Sequence, residues 1–346
     1  MLLKFMKHLF SLFFATIILV SCNAQIEKPE SKIKGVSFVA MRGEMVSDVV
    51  KPFKNYNANF VAVHPYGFMR DLENPAVIHN SDRQWYGERV DGTRQSIEMF
   101  HSEGLQVMLK PQIWIGRGNY TGTMELASDE KWKVLEDSYE QFILAFATVA
   151  QETKTEIFCI GTELESFVNA RPEYWNQLII KIRKIYDGKL TYAGNWDSYK
   201  NEPFWDQLDY IGVDAYFPVS DQKTPDYATI KAGWEKWMLE LSTLSQKHNK
   251  KILFAEYGYV SADYAGKEPW LNADESRESN EQAQQNLLQA QYGLIWSQDW
   301  FAGGFLWKHH AESGRRGFEK RFTPQGKAAE KTVADAYAQE LLIKSE

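Results

Sequence analysis

Apolar and polar positions along this chain alternate in a repeating order. A short apolar run rich in β-branched residues is followed by polar or aromatic residues, then by a stretch with helical spacing. Eight runs follow this rule: Lys34–Ala40, Asn59–Pro65, Gln106–Ile115, Glu156–Thr162, Lys189–Asn195, Tyr210–Tyr216, Lys251–Glu256 and Gly303–Trp307. Between them, Asp129–Gln151 places Trp132, Leu135, Tyr139, Phe142, Ile143 and Phe146 on one helical face. Pro172–Tyr186 carries proline in its first turn, with Trp175, Leu178, Ile179 and Ile182 as its apolar stripe. Trp234–Leu244 and Ala283–Trp296 repeat the pattern. The link from the fifth run to the sixth has room for little more than one turn, near Phe204–Gln207.

Eight strand–helix alternations predict parallel strands, because parallel neighbours need crossover connections. Closed on themselves they make a (β/α)8 barrel, a TIM barrel, here as a single domain over residues 32–346. The rival is an open doubly wound sheet, but no strand leads into a phosphate-binding GxGxxG turn. No low-complexity tract or long charge run divides the chain after about Ser31.

Composition adds two points. A net charge of −7 gives no basic footprint for nucleic acid. Aromatic residues make up 14% of the chain, with twelve tryptophans, and such rings serve either as core or as sugar-stacking platforms. The N-terminus has its own signature: Lys4, Lys7 and His8 precede the apolar stretch Leu9 to Val20, too short to span a bilayer and typical of a secretory signal. Leu19-Val20-Ser21-Cys22 resembles the lipobox of bacterial lipoproteins. That resemblance implies a signal peptide over 1–21, a lipidated Cys22, a polar tether over 22–31, and export to the cell envelope with the protein membrane-anchored through Cys22. Cleavage would leave Cys159 alone, excluding an intrachain disulfide; its neighbours Ile157, Phe158 and Ile160 predict a buried, inert thiol.

In a barrel of this kind the site lies where the strands end. The run ends here are polar and aromatic: Arg42, His64, Tyr66, Lys110, Trp114, Glu163, Glu165, Asn195, Trp196, Asp214, Tyr216, Glu256, Tyr257, Trp307, His309 and His310. Two segments carry most weight, Gly161-Thr162-Glu163-Leu164-Glu165 after the fourth run and Ala255-Glu256-Tyr257-Gly258 after the seventh. A carboxylate directly after an apolar run is costly to bury unless paired or functional. Two of them facing one barrel mouth is the arrangement a retaining glycosidase needs, one as nucleophile and one as acid/base.

An acid/base after strand four and a nucleophile after strand seven resemble the clan A glycoside hydrolases. Within that clan the chain resembles family 113, the β-mannanases, through Gly-Thr-Glu-Leu-Glu at 161–165, Gly-Val-Asp-Ala-Tyr at 212–216, Ala-Glu-Tyr-Gly at 255–258 and Phe-Leu-Trp-Lys at 305–308. The resemblance implies cleavage of β-1,4-mannosidic bonds in mannan or glucomannan by double displacement. Glu163 would be the acid/base, Glu256 the nucleophile, Tyr216 its hydrogen-bond partner and Trp307 the floor of the −1 sugar. Many clan members place asparagine before the acid/base; this chain has Thr162, which makes Asn195 the candidate for the sugar 2-hydroxyl. Arg42, Asn195 and Tyr216 are expected to keep Glu256 ionised and hold the sugar. His64, Lys110, Trp114, Trp196 and Asp214 complete the expected substrate-binding set, with Lys110 assigned to a hydroxyl.

The alternatives are specific. Glu165 is the rival acid, since strand alternation could turn both glutamates inward. His64 could be a core histidine, Trp114, Trp196 and Trp270 core aromatics, and Lys110 a solvated amine. His309 and His310 suggest a metal, but barrel metallohydrolases draw ligands from several strands and no HxH follows the first; no metal or cofactor is expected. A non-catalytic glycan-binding lipoprotein would have lost one glutamate, whereas both are present, and another β-glycan could replace mannan.

Overall fold

The computed structural model of the protein describes residues 31–311 and 317–339. The signal segment, Cys22 and the tether up to Glu30 lie outside the described residues. Eight strands form the centre: β1 (Ile33–Val39), β2 (Phe60–Val63), β3 (Gln106–Leu109), β4 (Ile157–Thr162), β5 (Lys189–Asn195), β6 (Ile211–Asp214), β7 (Ile252–Tyr257) and β8 (Phe301–His310). All pair in parallel in chain order, and β8 closes the ring onto β1. This is the (β/α)8 barrel the alternation predicts.

The outer layer contains α1 (Lys51–Asn55), α2 (Val90–Ser102), α3 (Asp129–Glu152), α4 (Glu165–Ala170), α5 (Pro172–Arg183), α6 (Tyr227–His248), α7 (Glu281–Ile295) and α8 (Ala328–Ala338). The β5–β6 link holds the short 3-10 turn Trp205–Gln207 where the sequence left space for little else. Local chemistry sets the helix ends. Ser128, Asp226 and Asn280 each accept the backbone N–H three residues on, at the starts of α3, α6 and α7. α6 stops at Asn249, left-handed with φ 50°, a conformation asparagine tolerates better than most side chains.

Ile33, Phe60, Met108, Ile157, Leu253 and Phe305 fill the barrel, while a larger apolar shell joins its outside to the helices. Cys159 lies in the interior layer, fully buried as expected, and burial pushes its thiol up to about 11. At the strand-start end the buried Lys32 donates from Nζ to the carbonyls of Gln298 (2.6 Å) and Phe301, fastening the entry of β1 to the beginning of β8.

One expected strand is divided. Gln106–Ile115 reads as a single run, but the chain leaves the barrel at Pro111. Lys110 N–H still donates to the Val63 carbonyl (2.9 Å), Pro111 has no N–H to give, and Gln112 N–H resumes with the Pro65 carbonyl (3.0 Å). Proline stands at the matching place after β2, so both chains bend out together. Their continuations Tyr66–Met69 and Gln112–Ile115 pair in parallel, and Val77–Ile78 adds antiparallel, giving a three-stranded side sheet beside the mouth.

Candidate active site

The strands that bring the two glutamates forward both lose register at their ends. β4 shifts against β5 between Cys159 and Thr162, and β7 shifts against β6 between Phe254 and Glu256. Such irregularities re-aim side chains at barrel rims. The second shift leaves Glu256 directly opposite Asp214 in the ladder.

Glu256 is buried and heavily bonded. Its Oε2 accepts from the Tyr216 hydroxyl (2.8 Å), and its Oε1 accepts from Gln112 Nε2 (2.9 Å) and from Lys110 Nζ. Lys110, fully buried, also reaches Asp214 Oδ2 at 3.3 Å. Burial pushes the Glu256 carboxyl up, but Lys110 and the Tyr216 hydrogen bond outweigh it and hold the group below its ordinary value. His64 also faces this carboxylate, but burial and the nearby Lys110 lower its own pKa to about 3, so at neutral pH it carries no charge and Lys110 supplies the compensation. Burial alone would lower the Lys110 amine; Asp214 and Glu256 reverse that and keep it protonated.

The other carboxyls around the mouth move the opposite way. Glu163 is pushed up to about 8, first by burial and then by repulsion from Glu256 and Glu165. Asp214 is raised well above the usual range by burial and by Glu256, and its Oδ1 has no hydrogen-bond partner. The mouth therefore biases Glu256 toward its ionised form beside the Lys110 ammonium and Glu163 toward its protonated form. One proton donor stands across from one anion, an arrangement of environments that separates acid from base.

Glu163 and Glu165 part ways through the backbone. β4 ends at Thr162, so strand alternation does not reach Glu165. Glu163 itself is left-handed, with φ 49°, its N–H donating to the Ala193 carbonyl (2.9 Å). A non-glycine residue in this region costs about 1–3 kcal/mol and persists where surrounding structure over-determines it. Here the Leu164 N–H bond to the Tyr192 hydroxyl (2.7 Å) and the start of α4 fix the turn. The Glu163 carboxyl meets the Tyr120 hydroxyl. Glu165, buried at the head of α4, accepts from Asn195 N–H (3.0 Å) and Ser198 Oγ (2.7 Å), so it anchors the β5 end.

The remaining predicted residues divide into those at the mouth and those apart from it. Trp307 packs edge-on to His64, with ring centroids 5.3 Å apart, and Lys308 Nζ lies 4.3 Å from the Trp307 ring centre. His64 lines a 180 Å³ pocket with Tyr66, Trp85, Glu88, Trp307 and Lys308. Asn195 accepts from the Trp196 N–H (2.9 Å), and Trp196 stacks on Trp270 with centroids 4.8 Å apart. Trp114 is exposed on the side sheet. Arg42 is exposed and rests on the Trp85 ring, 5.1 Å from its centre; the charge it was expected to set against Glu256 comes from Lys110, which lies beneath the carboxylates rather than open to a hydroxyl. His309 is buried beside Tyr56 and Gln325, and among the described residues no three His, Cys, Asp or Glu side chains cluster to hold a metal. Gln112, Tyr120 and Lys308 were not foreseen. Gln112 follows the strand-breaking Pro111, a signal that was present in the sequence; Tyr120 sits in a loop with none.

A second cavity of about 780 Å³ opens at the opposite end of the barrel, lined by Phe60, Gln106, Thr155, Glu156, Lys189 and Asp209 among others. It is remote from every carboxyl of the mouth and lies at the end where this fold carries residues for stability.

Comparison with known proteins gives the same fold and a family. The family model described as Glycoside Hydrolase Family 113 matches residues 38–323. Among solved structures, a GH113 β-mannanase from Alicyclobacillus acidocaldarius, in complex with ManMIm, is 24% identical with a TM-score of 0.76, over 89% of this chain and 97% of that one. A GH113 β-1,4-mannanase solved as a complex is 21% identical with the same TM-score, over 89% and 99% of the two chains. A β-glucuronidase from Faecalibacterium prausnitzii is more distant: 15% identity, TM-score 0.58, covering 90% of this chain and 49% of that one. No curated protein sequence matches the chain.

Proposed function

Because this chain belongs to glycoside hydrolase family 113, we propose that it cleaves β-1,4-mannosidic bonds of mannan or glucomannan with retention of configuration. The observation that carries the mechanism is the contrast between the two carboxyls' surroundings: Glu256 is bonded by Lys110, Tyr216 and Gln112, which favours its ionised form, while Glu163 is buried near Glu256 and Glu165, which favours its protonated form. Glu163 gives its proton to the glycosidic oxygen as Glu256 attacks the anomeric carbon. Once Glu256 is esterified, its charge no longer repels Glu163. The Glu163 pKa then falls, and the residue becomes the base that takes a proton from the attacking water. Tyr216 and Gln112 orient the nucleophile, Trp307 floors the reacting sugar, and Asn195 faces its 2-hydroxyl. The mannanase reading rests on the family together with the named activity of its solved members. We also propose that the protein is an exported lipoprotein held to the cell envelope through Cys22, on the signal-like segment before it.

Purified protein offered mannan, glucomannan, cellulose, xylan and galactan tests the substrate, and proton NMR of the first product tests the route. Mannan or glucomannan should be cleaved to β-anomers. Preference for another polymer would overturn the substrate, and an α-anomer appearing first would exclude Glu256 as nucleophile.

A further inference from the structure

The side sheet is apolar on its exposed face as well as its buried one. Its inner face carries Val77, Met69, Ile113 and Ile115, all buried, and packs so closely that a Cβ at Gly67 would stand 2.6 Å from Val77. The outer face should then be polar. Instead Ile78, Phe68 and Trp114 are register partners forming one row across all three strands, and they are 51%, 41% and 60% exposed. The next row inward is Tyr66 beside Gln112, and Gln112 bonds Glu256. Residues two apart on a strand share a face, so Trp114 lies about 7 Å beyond Gln112 on the side that leads from the nucleophile.

The space over this row is a groove of about 870 Å³, bordered by Gln84, Arg83 and Glu88 as well as the apolar row. It shares Tyr66, Trp85 and Glu88 with the 180 Å³ pocket at His64 and Trp307, so the two cavities are neighbours at the mouth. An exposed apolar strip with a polar border marks a ligand-binding surface. The row lies on the sheet face from which Gln112 reaches Glu256, and that placement points to the same molecule extended as the ligand. Hexose units offer C–H faces to an aromatic ring and hydroxyls to a border of amide, guanidinium and carboxylate groups. We propose that Trp114, Phe68 and Ile78 form an outlying platform for the sugar units of the β-linked chain beyond the cleaved bond, making the enzyme favour long substrates. The platform rests on the glycosidase reading given above.

The test is the ratio of kcat/KM on mannohexaose to that on mannotriose. Wild-type protein should show a clear gain with length. Trp114→Ala should lower the ratio about tenfold, the scale of one lost aromatic contact, and Phe68→Ala/Trp114→Ala should lower it further. Trp114→Tyr should restore most of it, which a merely structural role would not predict. Retardation of the inactive Glu256→Gln protein in mannan-containing gels should fall in parallel when Trp114→Ala is added. An unchanged ratio and unchanged retardation in the double variant would overturn the platform even if the wild type is a mannanase. If the wild type cleaves a different β-glycan, the substrate reading fails, and the same ratio on oligomers of that glycan decides the platform. If Trp114→Ala instead dissolves a dimer with no effect of chain length, the row is a subunit contact and the proposal is wrong.

Discussion

Lys110→Met removes the buried ammonium that touches both Glu256 and Asp214 while keeping the length of the side chain. An opposite charge at this range lowers a carboxyl pKa by about 1–3 units, and burial pushes Glu256 the other way with only Tyr216 and Gln112 left to resist. The acid limb of kcat/KM should therefore rise by about 1–3 pH units, because Glu256 must be ionised to attack. Below the new limb the rate falls about tenfold per pH unit, so the variant should be far more impaired near pH 5 than near pH 7. Stability follows the same sign. A depressed carboxyl stabilises the fold above its unfolded pKa and stops doing so as pH falls through the folded one; in the variant that contribution disappears. Removing one partner of a buried pair costs about 3–5 kcal/mol, less where burial already biases the remaining acid toward its neutral form, the direction seen at Asp214. Adding Asp214→Asn should return part of the loss in urea unfolding. The assay is a full pH profile of wild type, single and double variants beside denaturation midpoints. A uniform drop in kcat/KM with an unmoved acid limb would refute the charge argument and make Lys110 a sugar ligand.

The wild-type basic limb should fall near pH 8, where Glu163 loses its proton, and Glu163→Gln should abolish that limb in pH profiles on an activated aryl glycoside. On the same substrate Glu163→Ala should be rescued by azide as a β-glycosyl azide, whereas Glu256→Ala should not; rescue of Glu165→Ala in its place would move the acid to Glu165. Glu165→Gln should lower kcat by no more than about tenfold, since it holds Asn195 and Ser198 rather than the leaving group. Cys22→Ser should stop labelled fatty acid from attaching to the protein, and absence of label on the wild type would sink the lipoprotein proposal.

The fold was legible because its signal is a change of hydrophobic period repeated eight times, and closure follows from parallel pairing. The side sheet was hidden inside that signal. Gln106–Ile115 carries one short interruption, Lys110-Pro111-Gln112, and the prolines at 65 and 111 mark where two strands leave the barrel together. Glu163 and Glu256 stood out as carboxylates that end apolar runs. What separates Glu163 from Glu165 is a left-handed turn that no residue type announces, since glutamate rarely adopts it. The exchange of Arg42 for Lys110 has a similar cause: which cation lies under a carboxylate depends on the barrel's stagger, and both sat at run ends in the sequence.

A closed parallel sheet has a direction. The strands all enter at one end and bring the carboxyls and Lys110 to the other, and Lys32 clamps the entering chain to the carbonyls at that first end. The chain at Lys32 thus joins the barrel at the end opposite Glu163 and Glu256. Were the molecule moored through that chain, its point of attachment and its cleft would lie at opposite ends of the barrel.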